Sequence, residues 1–189
     1  LIGPAEIEAG DKAIHPTSSA VTAQDRARVK GHKGGVFWLT GLSGAGKSTL
    51  ARAAESRLFA NGVDVSVLDG DTLRAGLCHD LGFSEAERTE NVRRAAEVAR
   101  ILRDAGQVVL VTLISPLRSD RDLARRIIGD DFEEVFVDAD LSVCEQRDPK
   151  GLYAAARAGK ISGFTGIDAP YEAPQAPALR LQTSQCTRL

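Results

Sequence analysis

The chain has 189 residues, of which 43% are hydrophobic and 26% charged, with a formal net charge of -2. That length fits one ordinary domain, which buries roughly 70% of its unfolded surface and so carries its own core. The charge balance argues against nucleic acid as the main partner, and no run reaches the roughly 20 apolar residues of a membrane-crossing helix.

The three cysteines, Cys78, Cys144 and Cys186, form no CxxC pair. An odd count fits a reduced, cytoplasmic protein better than a disulfide framework. The chain contains no Met and starts at Leu1. It is therefore expected to be a piece of a longer polypeptide.

Residues 1–33 lack a sustained apolar period and read as a linker or N-terminal extension, within which "VTAQDRARVK" (21–30) can form a short polar helix. Residues 34–189 read as one domain. "VFWLT" (36–40) is the first predicted strand. A helix opens at the glycine-rich turn behind it, with Leu50, Ala54 and Leu58 on one face. "VDVSVL" (63–68) is the second strand. Ser84 and Glu87 then form a capping box for a helix whose apolar positions are Val92, Ala95, Ala96, Ala99 and Leu102. "QVVLVTLI" (107–114) is the third strand, and a helix from about Ser119 is expected to bury Leu123, Ile127 and Ile128. "EVFVD" (134–138) and "ALRLQ" (178–182) complete the strands. Alternation of strands and helices predicts an α/β fold with a parallel sheet of about five strands covered by helices on both faces. Ligands of such folds bind at the carboxyl ends of the strands.

"GLSGAGKS" (41–48) matches G-x-x-x-x-G-K-[ST] and lies between a predicted strand and a predicted helix, as a P-loop requires. Its glycines let backbone N–H groups turn toward phosphates, where the helix N-terminus adds positive dipole. Lys47 can reach the β- and γ-phosphates of ATP, and Ser48 can offer a hydroxyl to Mg²⁺, with Thr49 beside it. A GTPase would also need N-K-x-D, which is absent. "DPKG" (148–151) fits D-x-x-G, but it follows the fourth strand in a basic stretch. An ATPase motor would end an apolar strand in Asp to hold Mg²⁺. The third strand ends "LISP" instead, so the carboxylate is expected from Asp69 and Asp71 in "LDGDTLR" (68–74).

A small-molecule kinase also needs groups for its acceptor. Arg74, Phe83, Arg88, Asn91 and Ser115 are candidates for an anionic, aromatic one: arginines for phosphate or sulfate oxygens, phenylalanine to stack a base. Each has a plainer reading as well; Phe83, just before the N-cap Ser84, could be a hydrophobic staple. A kinase for another small acceptor and an inert nucleotide-binding module are the rival functions. His15, His32 and His79 show no metal spacing.

The set "GLSGAGKST", "LDGDTLR", "GFSEAERTENVRR", "ISP", "CEQRDPKGLYAAARAG" and "FTGIDAPYEAP" occurs in order. It resembles the adenylylsulfate (APS) kinases, from about Val21 to near the C-terminus. The resemblance implies a P-loop kinase-type three-layer α/β/α fold with a mobile lid, residues 147–164. It also implies ATP- and Mg²⁺-dependent phosphorylation of the APS 3′-hydroxyl to give PAPS. Carried over by position, Gly44, Ala45, Gly46, Lys47, Ser48 and Thr49 would hold ATP, with Arg147 and Cys186 nearby. Asp71, Thr72, Leu73, Arg74, Phe83, Arg88, Thr89, Glu90, Asn91, Ile114 and Ser115 would line the APS pocket. Lys150, Gly163 and Phe164 would close over it, with Phe83 and Phe164 sandwiching the adenine. Ser48, Asp69 and Asp71 would serve Mg²⁺, and Asp71 would take the hydroxyl proton.

Two departures stand out: many relatives have Asp at position 87 and Tyr at 117. The family serine at 115 is described as a phosphoserine intermediate. Direct in-line transfer needs only positioning and charge stabilisation, and a serine nucleophile needs an activating base that the sequence does not show. The resemblance further implies a cytoplasmic homodimer, fused behind or complexed with sulfate adenylyltransferase subunits.

Overall fold

The computed structural model describes residues 19–185. The elements in chain order are α1 (Ala23–Lys30), β1 (Gly35–Thr40), α2 (Lys47–Ala60), β2 (Val65–Asp69), α3 (Gly70–Ala75) and α4 (Glu85–Asp104). They continue with β3 (Val108–Thr112), α5 (Arg118–Ile128), β4 (Phe132–Asp138), α6 (Leu141–Arg147), α7 (Leu152–Arg157) and β5 (Leu179–Gln182). The strands form one five-stranded sheet in the order β2-β3-β1-β4-β5, and every pairing is parallel. The chain leaves β1 toward β2 and later crosses from β3 back past β1 to β4. Right-handed crossovers in opposite directions put helices on opposite faces. The carboxyl ends of β1 and β3 flank the point where the order reverses, the usual ligand crevice.

Each face has its own core. On one, Val92, Ala95, Ala96 and Ala99 of α4 pack against Val36, Trp38, Val109, Val111 and Phe132. The small side chains at helical spacing bring α4 close to the sheet. On the other, Ala51 of α2 joins Leu39, Leu110, Val135, Val137, Cys144 and Tyr153, with Leu50 and Ala54 packed against them. Leu102 and Ile127 contribute from the margin of the first core.

The helix ends follow sequence chemistry. Ser84 and Glu87 form the expected capping box on α4, a device worth about 1 kcal/mol. Thr22 and Asp25 form a second on α1, which ends at Gly31. That short polar helix lies within residues 19–33, the described part of the segment expected to be linker.

Helix α5 differs from its expected face. Ile128 is buried, but Leu123 and Ile127 are only half-buried, while Asp120 and Arg121 are buried. The apolar period identified the helix and missed the two polar residues that its first turn carries inward. The short α3 was also not expected from "LDGDTLR". It forms because Asp69 caps it, its carboxylate accepting from the Asp71 N–H at 3.0 Å.

Candidate active site

The loop between β1 and α2 turns tightly. Gly41 has φ 154, and a Cβ there would meet the Val137 carbonyl at 2.3 Å. Gly46, the residue before α2, has φ 100, the left-handed region that favours glycine. Lys47 is buried, and its ammonium donates to the carbonyls of Gly41 and Leu42 at 2.8 Å each. Burial pushes its pKa down to about 8. Ala45 is fully buried and anchors the loop in the second core, while Ser48 and Thr49 are exposed at the start of α2. Gly44 and Thr183 are tied by Arg147, which donates to both carbonyls, at 3.3 and 2.6 Å. Cys186, expected near ATP, lies outside the described residues.

The end of β2 faces this loop. Ser48 donates to the Asp69 carboxylate at 2.6 Å, and Thr112 from the end of β3 donates to the same oxygen at 2.8 Å. Partial burial opposes ionisation of Asp69, but the hydrogen bonds from Ser48, Thr112 and the backbone of Asp71 and Thr72 outweigh it and hold its pKa below the usual range. Asp71 is largely exposed and pairs with Lys150 from the segment between α6 and α7. The two aspartates are thus distinct: Asp69 is bound and half-buried, Asp71 open. A serine hydroxyl and two carboxylates are hard oxygen donors, of the kind that suits Mg²⁺ when phosphates complete the shell.

A cavity of about 480 Å³ is walled by Phe83, Arg88, Pro116, Asp120, Gly163 and Pro170. Arg74 donates to the carbonyls of Leu81 and Gly82, and its guanidinium lies 4.2 Å from the centre of the Phe83 ring. Arg88 donates to Thr165 at 3.1 Å and to the Gly163 carbonyl at 2.5 Å, tying α4 to the segment after α7. Phe83 is 67% exposed, too open for a staple on α4. The departure at Glu87 serves its loop: that side chain also accepts from the Gly82 N–H at 2.9 Å.

Phe164 meets Tyr153 edge-on, with centroids 5.0 Å apart, and packs against the second core. Tyr153 in turn donates to the Ser43 carbonyl at 2.9 Å, so the lid segment is docked on the P-loop.

Other expected pocket residues divide. Asn91 is buried, and its side-chain oxygen has no partner. Thr89 donates to Asp120 at 2.8 Å. Leu73 is buried in the first core, so its side chain secures α3; Thr72 is exposed beside it. Glu90 is bound by Arg93 and Arg94, whose guanidiniums hold its pKa down to about 2 against partial burial. It belongs to a surface network that also takes in Asp80.

Ser115 is almost fully buried and has φ 38, in the left-handed region that non-glycine residues rarely adopt. Its hydroxyl accepts from the Trp38 indole at 3.0 Å. The Ile114 carbonyl accepts from Thr40 at 2.6 Å. Among the described residues, no carboxylate or imidazole bonds the serine hydroxyl.

The family model for adenylylsulphate kinase matches residues 33–182. The chain belongs to the adenylylsulphate kinase family. It is 59% identical over 163 residues to the adenylyl-sulfate kinase of Aeromonas hydrophila, covering 86% of this chain and 83% of that one. The adenylyl-sulfate kinase of Yersinia pestis is 55% identical, with 90% and 80% covered. Among solved structures, the APS kinase CysC of Mycobacterium tuberculosis, in complex with AMPPNP and APS, superposes with a TM-score of 0.78 at 56% identity, covering 79% of this chain and 88% of that one. The parallel sheet and flanking helices are therefore those of the P-loop kinase fold of this family. No helix of the described residues is long and apolar enough to cross a membrane.

Sequence reasoning missed Trp38, Thr112, Asp120, Arg121 and Tyr171 as parts of the site. Trp38 and Thr112 read as ordinary strand residues. Asp120 and Arg121 read as helix surface and Tyr171 as loop; burial marks the first two, and the bond to Thr40 marks the half-buried Tyr171.

Proposed function

We propose that the protein transfers the γ-phosphoryl group of ATP to the 3′-hydroxyl of adenylyl sulfate, giving 3′-phosphoadenylyl sulfate and ADP. One observation carries this reading beyond family membership. The short helix α3 that carries Asp71 also carries Arg74, whose guanidinium lies against Phe83, and Phe83 and Arg88 line a cavity that offers an aromatic ring and an arginine for an anionic nucleotide.

The loop of Gly44 to Thr49 holds the ATP phosphates through its backbone and the N-terminus of α2. Lys47 exchanges its two carbonyl partners for phosphate oxygens. Ser48, whose hydroxyl donates to Asp69, would have its oxygen lone pairs free to hold Mg²⁺. Mg²⁺, when bound with ATP, neutralises charge on the phosphate oxygens and favours in-line transfer. Asp71, the open carboxylate at the start of α3, accepts the proton of the acceptor hydroxyl. Arg74 and Arg88 bind the acceptor's anionic groups, and Phe83 stacks its base. Lys150 leaves Asp71 to meet substrate phosphate. Ser115 positions the acceptor: with its hydroxyl bonded to Trp38 and no base beside it, it is not the nucleophile.

The test is a coupled assay with ATP and APS that reads PAPS. Formation of PAPS with stoichiometric ADP is expected. ADP release only with a different acceptor would overturn the substrate, and ATP binding without turnover on any acceptor would make the chain a regulatory module. A homodimer, and fusion to or complex with sulfate adenylyltransferase, remain proposals for the native protein, tested by its mass in solution.

A further inference from the structure

The sequence "ISPLRSDR" places Arg121 six residues beyond Ser115, in the first turn of a helix whose inward face should be apolar. The side chain is nevertheless 3% exposed. A buried guanidinium is retained only where its charge and its donors are satisfied. Here Nε donates to the Glu134 carboxylate at 2.6 Å. One terminal nitrogen donates to the carbonyls of Ser115 and Pro116 at 2.8 and 3.2 Å, and the other to the carbonyl of Glu172 at 2.7 Å. A single side chain therefore ties α5, β4, the turn after β3 and the segment before β5.

The same segments are stitched by lesser bonds. The Glu172 N–H donates to the Pro116 carbonyl at 2.9 Å, and the Arg118 N–H to the Glu172 carboxylate at 2.6 Å. The Tyr171 hydroxyl lies 3.0 Å from that of Thr40. At the centre is Ser115 with φ 38. A non-glycine residue holds such a conformation only when its surroundings over-determine it, and two of its three polar groups are engaged here, the carbonyl by Arg121 and the hydroxyl by Trp38.

We infer that Arg121 is a positioning residue for the acceptor: it fixes the Ser115–Pro116 turn against Tyr171 and Glu172 as one rigid wall of the acceptor pocket. The role needs a planar fork with donors in three directions, which a lysine cannot supply. Glu134 neutralises the fork but reaches neither wall segment. Stability alone is a weak explanation, since a buried ion pair is often no better than a well-packed apolar pair. The inference rests on the proposed kinase reading for the identity of the acceptor, but not for the geometry of the wall.

Two variants and two readouts test it. Arg121→Lys keeps the charge and loses the fork. The double variant Arg121→Met with Glu134→Met removes the pair without stranding a buried charge. In either, the KM for APS should rise about tenfold or more while the KM for ATP stays within about twofold, because misplacement of one substrate is costly and selective. Trp38, the sole tryptophan of the chain, reports the turn without any acceptor, and its quenching by acrylamide should increase. An unchanged APS KM in a folded variant would overturn the inference. So would APS and ATP KM values rising together in step with a lost thermal midpoint. If the double variant does not fold, Arg121→Lys decides. If the wild-type protein does not phosphorylate APS, the kinase reading fails, and Trp38 quenching decides this one: unaltered quenching rejects it.

Discussion

The ATP side and the acceptor side of the site are held by different means. In the P-loop, Lys47 bonds to carbonyls five and six residues away, and Ser48 reaches Asp69 across 21. On the acceptor side, Arg88 reaches Thr165 across 77 residues and Arg121 reaches Glu172 across 51. The first half is shaped mostly by local backbone geometry at glycines. The second is assembled from four distant segments by arginines that bond to carbonyls. Local damage to the first half should abolish phosphate handling outright, whereas damage to the second should loosen acceptor binding and leave ATP in place.

Four measurements can break or sharpen that contrast. The largest effect is expected for Lys47→Ala, which removes a buried cation from the phosphate site and should lower kcat by about 10³-fold. A loss under tenfold would mean that Lys47 keeps to its carbonyls throughout. Next, Asp71→Asn should cut kcat by about 10²-fold with little change in the KM for ATP; equal turnover by the variant would remove Asp71 from proton transfer. Third, Phe83→Ala should raise the KM for APS by about tenfold through lost stacking and leave the KM for ATP alone. A matching rise in both would show that the two halves are not separable.

The smallest effect is on protons. The pKa of Lys47 in the free protein lies at about 8, below its ordinary 10.5. Between those two values the unfolded chain binds more protons than the folded one, so this lysine's contribution to stability grows as pH rises through that window and is a cost below it. Phosphate beside the ammonium restores its proton. At pH 8, binding of ATP should therefore take up about half a proton, read by calorimetry in buffers of different ionisation enthalpy. No uptake would mean that the lysine does not meet phosphate.

Much of this was legible in the sequence. All five strands lie where short β-branched runs stand between turns, because period and composition are local properties. The P-loop was legible because its glycines are required by backbone angles that a motif records directly. The capping box at Ser84 and Glu87 was legible for the same reason. Arg74, Phe83 and Arg88 could be named as pocket candidates, but not their present partners. The arginines were expected to wait for anions, yet they bind carbonyls of Leu81, Gly82 and Gly163. The face of α5 could not be read, since a helical period treats Arg121 as solvent-facing until Glu134 and Glu172 are brought beside it.

The stretch "LDGDTLR" shows the same division in seven residues. Its sequence determined that two carboxylates and an arginine lie just past the end of a strand, opposite a phosphate loop. Only the fold decided that they differ in role. Asp69 becomes the cap of α3 and the acceptor for Ser48 and Thr112, while Asp71 is left open to Lys150 and Arg74 turns away toward Phe83. The physical reason is distance along the chain: residue types and local angles are written in neighbouring residues. Which carboxylate is desolvated and which stays free depends on partners from β3, α2 and the lid, which the sequence does not place.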